Sequence, residues 1–252
     1  MEKKQYLNMS DRLAKIASKV DKGSRVADVG TDHGYVPIYL ALNGLAESAV
    51  AMDVNEGPLD RAQQNIIKMG VADKVSVRLS DGLDKLKEGE ADTVIIAGMG
   101  GKLTIRILEN GAGVLEKVDT LILSPHSDVE LVRIYLINNN YNITDEDMVI
   151  DDGKYYNILK AVHGKSQSYS EEEVKYGKIL LEKKDDVLSD YLLKEQEKYK
   201  VIYNRISAEN GEDDEKLEGI RKKLDIISKA FDRMRNGGEV WQKYIMLKLE
   251  MK

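Results

Sequence analysis

The chain has 252 residues, enough for one domain of ordinary size and a smaller second one. Its 42% hydrophobic and 33% charged content is globular, and with no cysteine a disulfide framework and a thiolate metal site are both excluded, so a reducing cytoplasm is the expected compartment. A formal charge of -6 excludes the broad basic field common in nucleic-acid binders, so any such partner has to be met by a local patch.

The opening stretch, MEKKQYLNMSDRLAKIASKV, lacks the apolar core of a signal peptide, and no run approaches the ~20 apolar residues of a membrane span. Residues 1–25 set Lys3, Lys4, Arg12, Lys15, Lys19, Lys22 and Arg25 against Glu2, Asp11 and Asp21, which makes either a solvated helix face or a small basic patch. Ser10 can cap a helix with Leu13, Ile16, Ala17 and Val20 on one face. Strands and helices then alternate. RVADV (25–29) predicts a strand, and GYVPIYLALNG a helix with Pro37 in its first turn. SAVAMDV (48–54) predicts the next strand, and residues 57–70 a helix with Pro58 near its start and Gly70 past its end. Strands are expected at 74–82, 91–101 and 119–125, with a short helix over 102–110. Ser127-Asp128-Val129-Glu130 has the form of a capping box opening a helix to about Asn140. YNITDEDMVI and KYYNILKAVHG flank Asp151-Asp152-Gly153 and predict a terminal hairpin.

Repeated strand–helix units imply a mostly parallel, doubly wound α/β sheet over residues 1–165, with the hairpin adding antiparallel strands at one edge. Residues 166–252 differ. Leu217, Ile220, Leu224, Ile227, Phe231 and Met234 form a heptad seam, and Leu188, Leu192, Tyr199, Ile202 and Ile206 keep a compatible register interrupted by Glu195. Asn210-Gly211 and the acidic run 212–215 are expected to form the turn of an antiparallel helical, coiled-coil hairpin domain. Such a hairpin is either structural and self-associating or an arm that grips a large substrate. Its 18 basic and 19 acidic residues from position 170 onward favour neither reading.

Four successive strand ends carry acids or glycines. Asp28-Val29-Gly30-Thr31-Asp32-His33-Gly34 follows the first strand, where glycine admits a ligand to the backbone and a helix start offers unpaired N–H groups. Asp53, followed by Val54 and Asn55, ends the second strand and can accept from both hydroxyls of a ribose. Asp81-Gly82 ends the third, suited to an exocyclic adenine amine, and Ala97-Gly98-Met99-Gly100-Gly101 the fourth. A dinucleotide site wants glycine at position 32, where this chain has a carboxylate that repels a pyrophosphate. S-adenosylmethionine carries an ammonium and a sulfonium, and Asp28 and Asp32 suit that cationic ligand.

On DVGTDHGYVP, AGMGGKL and EDMVIDDGKYYNIL, together with the helical C-terminal region, the chain resembles the bacterial family of class I methyltransferases that modify N1 of adenine 22 in tRNA. The resemblance implies a Rossmann-like methyltransferase sheet that binds S-adenosylmethionine, with a coiled-coil tail beside it. It implies that Asp28, Gly30, Asp32, His33 and Gly34, with Thr31 among them, form the first cofactor motif. Asp53 (with Val54 and Asn55) then holds the ribose, Asp81 and Gly82 lie on the adenine side, and the loop from Ala97 to Gly101 lies at the reaction centre. The pattern of the family it resembles has Gln-Pro-Asn after the fifth strand, where this chain has Ser124-Pro125-His126, so the resemblance does not support a catalytic role at this turn.

Adenine N1 has its own lone pair, so alignment is the main requirement. An acceptor near N6 could then hold or remove a proton, for which Asp32, His33 and His126 are candidates. The Asn-Pro-Pro-Tyr common in N6 chemistry is absent after the fourth strand. Phosphate contacts are expected from the first helix, Lys102 and Arg106. The expected partner is tRNA, with no membrane, no metal and a monomeric chain. The alternatives are a small-molecule methyltransferase with a dimerising tail and a non-catalytic cofactor-binding protein.

Overall fold

The structure, a computed structural model, describes residues 9–208 and 214–235. Lys3 and Lys4 of the basic stretch, and Asn210 and Gly211 of the expected turn, lie outside the described residues. The chain divides into two units, Met1–Gln167 and Ser168–Lys252.

In the first unit α1 (Asp11–Ala17) is capped by Ser10, whose Oγ accepts from the Leu13 N–H, and it ends one turn earlier than its apolar pattern implied. Then come β1 (Ser24–Val29), α2 (Tyr35–Leu42), β2 (Ala46–Asp53), α3 (Glu56–Met69), β3 (Val75–Leu79), β4 (Thr93–Ala97), α4 (Gly101–Asn110) and α5 (Ala112–Leu115). The unit closes with β5 (Thr120–Ser124), α6 (Val129–Asn138), β6 (Tyr141–Asp151) and β7 (Lys154–His163). One seven-stranded sheet results, ordered β3-β2-β1-β4-β5-β7-β6. β1 to β5 are parallel, and β7 runs antiparallel to both β5 and β6. The central strands are near-continuous aliphatic runs because both faces are covered, and Ile95, Ile96 and Ile122 are fully buried. The strand order reverses between β1 and β4, the point at which doubly wound sheets open a crevice outside the strand ends.

The hairpin turns through Asp152 and Gly153, both left-handed at φ 48° and 72°, as a two-residue turn demands. Its register is held by a buried ion pair. Arg133 on α6 donates to Glu146 on β6 at 2.8 Å and to Asn157 on β7 at 3.0 Å, and both charged side chains are essentially inaccessible to water. The capping box expected at Ser127 does not form. Asp128 takes a left-handed φ of 53° at the N-cap, and the Ser127 hydroxyl donates to the Asp128 carboxylate at 2.9 Å rather than receiving a helix N–H.

The second unit opens with two short helices that the heptad pattern did not reveal, α7 (Glu171–Tyr176) and α8 (Lys178–Lys183), before α9 (Asp186–Ala208) and α10 (Asp214–Arg235). Asp214 and Glu215, expected in the turn, already belong to α10. Arg221 donates to the Tyr203 hydroxyl at 3.2 Å, and the Lys223 ammonium sits 5.0 Å from the Tyr199 ring. Rising positions on α10 thus meet falling positions on α9, so the two helices are antiparallel. Leu217, Ile220, Ile227, Phe231 and Met234 are buried, as are Leu188 and Leu192. Glu195 interrupts the apolar register because it accepts from the buried Tyr176 hydroxyl at 2.8 Å. Among the described residues no helix is long and apolar enough to cross a membrane.

Candidate active site

The loop after β1 is shaped by its glycines and by a buried acid. Asp28 ends inside the sheet and is only 7% exposed. Burial pushes its carboxyl up to about 6; the Thr31 hydroxyl partly offsets the rise, and the nearby negative charge of Asp53 adds to it. A carboxylate in that position is poised for a positive partner. Gly30 turns at φ 77°, and its N–H and that of Thr31 both donate to the Met52 carbonyl on β2, at 2.8 and 2.9 Å. Gly34, at φ 67°, heads α2 with no side chain capping the helix. His33 is left-handed too, at φ 60°. Its carbonyl accepts from Asn65 at 2.9 Å, its ring stacks on Tyr35 at 5.3 Å, and its Nε2 lies 3.3 Å from Asp32. Asp32 is 71% exposed at its side chain and also faces Arg61 at 3.4 Å.

Asp28, Gly30, Thr31, Asp32 and Ala97 line one cleft of about 170 Å³, closed by Tyr35 and Arg12. Asp53, Val54 and Asn55 stand at the end of β2 beside it. The Asp53 carboxylate accepts from the Asn55 N–H at 2.8 Å, and Val54 is 58% exposed. Asp81 is exposed, while Gly82 turns at φ 54° against Ile107. In the loop after β4, Gly98 turns at φ 79° below the Arg12 guanidinium, and Met99 lies over Gly30. Gly101 also has a packing task. A Cβ there would meet the Ser127 carbonyl oxygen at 2.6 Å, so this glycine lets α4 start against the 126–128 turn.

His126 is set apart from Asp32 and His33. It lines a second cleft, of about 570 Å³, with Gly98, Lys154, Tyr155, Tyr156 and Arg12. Arg12 is common to both clefts. Its guanidinium lies 4.8 Å from the Tyr156 ring centroid, and its Nη1 is buried with no hydrogen-bond acceptor among the described residues. In the sequence, hairpin residues 154–156 mark a strand and part of a family motif, not a cleft wall. The signal available was a lysine followed by two tyrosines just past an Asp-Gly turn.

The basic stretch around α1 is largely neutralised. Lys19 pairs with Asp145 and Asp147, Lys15 lies 4.0 Å from Asp147, and Arg25 donates to Asp92 at 3.3 Å. Burial alone would lower the Lys19 ammonium, but its two carboxylate partners outweigh that and raise it. Lys102 and Arg106 are exposed on α4. The His163 Nε2 donates to the Leu115 carbonyl oxygen at 2.9 Å and the ring stacks on Tyr141, a structural placement. Among the described residues no group of three or more His, Cys, Asp or Glu is disposed to hold a metal ion.

The pattern of the methyltransferase domain family matches residues 9–159. The tRNA (adenine(22)-N(1))-methyltransferase of Bacillus subtilis is 33% identical over 233 residues, covering 90% of this chain and 98% of that one. The structure of M. capricolum TrmK with S-adenosyl-homocysteine superposes with a TM-score of 0.80 at 29% identity, over 90% of this chain and 99% of that one. That of Streptococcus pneumoniae Sp1610 with S-adenosyl-L-methionine gives a TM-score of 0.80 at 34% identity, over 88% and 99%. With the fold, the acid-lined crevice and near end-to-end similarity in agreement, the chain belongs to the class I methyltransferases, in the family of the bacterial tRNA (adenine(22)-N(1))-methyltransferase.

Proposed function

We propose that the chain is a tRNA methyltransferase that uses S-adenosylmethionine to methylate N1 of adenine 22. The observation that carries this reading is the buried Asp28 carboxyl in the crevice between β1 and β4, in a chain that spans nearly the full length of the B. subtilis enzyme. The residues fit the cofactor. Asp28 and Asp32 supply negative charge for its ammonium and sulfonium, Asp53 supplies an acceptor for the ribose hydroxyls, and the Asp32 carboxylate disfavours a pyrophosphate. When bound, S-adenosylmethionine supplies an electrophilic methyl group.

The residues of the chain then bind, orient and exclude water. Gly30, Thr31, His33 and Gly34 shape the wall nearest the end of β1, Val54 and Asn55 flank the ribose acid, and Asp81 with Gly82 borders the adenine side. Ala97, Gly98 and Met99 line the reaction centre. Adenine N1 needs no activating base, so its placement dominates the rate. The alkylated adenine is cationic, and a side chain that accepts the N6 proton relieves that charge. His126 is the first candidate, since it is exposed in the cleft beside Gly98; Asp32 and His33, engaged with Arg61 and Tyr35, serve the cofactor side. The reading also holds that the chain acts as a cytoplasmic monomer without metal. A small acceptor or a non-catalytic role is disfavoured by the close relative's own activity on tRNA. Incubation with bulk tRNA and labelled cofactor, followed by mapping of the methylated nucleoside, is the test. Label in 1-methyladenosine at position 22 is expected, and label in another base or in none overturns the reading.

A further inference from the structure

The charge of the crevice reverses across Arg12. On one side Asp28 and Asp32 make a cleft for a cation. On the other, the cleft of about 570 Å³ has Arg12, Lys154, His126, Tyr155 and Tyr156 in its lining and no carboxylate. Arg12 lines both clefts, and the adjacent residues Ala97 and Gly98 at the end of β4 line one each. Cations beside aromatic faces are the chemistry of a single unstacked nucleotide, whose base offers a π-face and whose backbone offers an anion. The volume is in the range of sites that enclose a small ligand.

Two details sharpen this. The Arg12 guanidinium is stacked against Tyr156 yet has a buried nitrogen lacking an acceptor, so it is held in place with hydrogen-bonding capacity unspent. Lys154 is exposed at the hairpin tip and makes no ion pair among the described residues, whereas Lys15 and Lys19 of the basic stretch have carboxylate partners.

We propose that this cleft is the acceptor subsite, taking the target nucleotide of tRNA after it leaves its stack, with the base against the Tyr156–Arg12 pair and a flanking phosphate at Lys154. It rests on the tRNA-methyltransferase reading and adds the residues that hold the nucleotide. Unstacking costs a few kcal/mol. A stacking platform on the far side of Gly98 from the cofactor cleft offsets that cost where it delivers N1 to the methyl donor.

The test uses the full chain and a tRNA transcript, with Tyr156→Ala, Tyr156→Phe and Lys154→Ala. Affinity for S-adenosylhomocysteine, read by calorimetry, should stay within about twofold of wild type in all three. Tyr156→Ala should lower single-turnover methylation about tenfold or more, and Tyr156→Phe should retain most of it, since the ring carries the stacking. A transcript with 2-aminopurine at the target position should change fluorescence on binding wild type and far less on binding Tyr156→Ala. Lys154→Ala should flatten the dependence of log tRNA affinity on log salt by about 0.7, one phosphate contact. Wild-type rates in both Tyr156→Ala and Lys154→Ala would overturn the subsite alone. Equal loss of cofactor affinity and activity would move these residues to the cofactor side and also overturn it. A wild-type chain that methylates no tRNA would overturn the parent reading and the subsite together.

Discussion

The terminal methyl of Met99 stands where a side chain on Gly30 would begin. The two residues follow β4 and β1, whose parallel register pairs Val29 with Ile96 and brings the loops together. Gly30→Ala would need a left-handed φ, at about 1–2 kcal/mol, and would also push Met99 out of its place. The expected outcome is a folded protein, a few degrees less heat-stable, with affinity for S-adenosylhomocysteine reduced about tenfold or more. Calorimetry beside a thermal melt checks this, and unchanged binding would mean that the cofactor does not approach this turn.

Asp28 is predicted to trade stability for binding. Its carboxyl is pushed up to about 6 from an ordinary 3.8, so the ligand-free fold holds this proton more tightly than the unfolded chain does. The stability this contributes is present below pH 4 and is lost as pH rises through about 6, roughly 2–3 kcal/mol in all. Asp28→Asn should therefore raise the melting temperature of the free protein at pH 7 while weakening cofactor binding. In the wild type, cofactor affinity should increase between pH 5 and 7 as the carboxyl ionises. A flat profile in calorimetry across that range would contradict the assignment.

Asp53→Ala should weaken cofactor binding with the fold intact, because two hydrogen bonds to a charged acceptor are lost, each worth about 1.5–3 kcal/mol at most. A second effect follows from its influence on Asp28. Without the negative charge of Asp53, the Asp28 carboxyl should fall, which moves the pH dependence of binding to lower pH. Titrations of the single variant at several pH values separate the two.

Removing residues 168–252 should leave an α/β unit that folds and binds cofactor but methylates tRNA poorly. The first unit has its own buried core, and the second buries Leu180, Leu181, Leu188, Leu192, Ile227, Phe231 and Met234. A cofactor crevice spans a nucleoside, whereas tRNA is far larger and needs more surface. Rates on tRNA are to be compared at matched cofactor occupancy; equal rates would reduce the helices to a structural role.

The parts of the site that were legible in the sequence are those that lie at consecutive strand ends. Asp28, Asp53, Asp81 and Gly98 fall at the ends of β1 to β4, and a doubly wound topology gathers such ends at one edge. The second cleft was not legible for the converse reason. Arg12, Gly98, His126 and Tyr156 come from four separate stretches, and no local pattern announces their meeting. The packing role of Gly101 is not legible, because a glycine needed for backbone packing and one needed for a ligand are identical in sequence. The short α7 and α8 escaped because each is a turn or two long, below the length at which apolar periodicity shows.

The Arg133 ion pair bears on how this enzyme can vary over generations. Sliding either hairpin strand by one residue would reverse its faces and strand a buried charge without Glu146 or Asn157. The register irregularity that β6 already carries between Ile143 and Asp145 lies outside the stretch these contacts bracket, so an inserted residue is expected to be tolerated at the Asp152-Gly153 turn and not between that turn and Glu146 or Asn157. That turn adjoins Lys154, so length changes should gather at the tip, where they can move Lys154 relative to the cleft it lines while the sheet keeps its one setting.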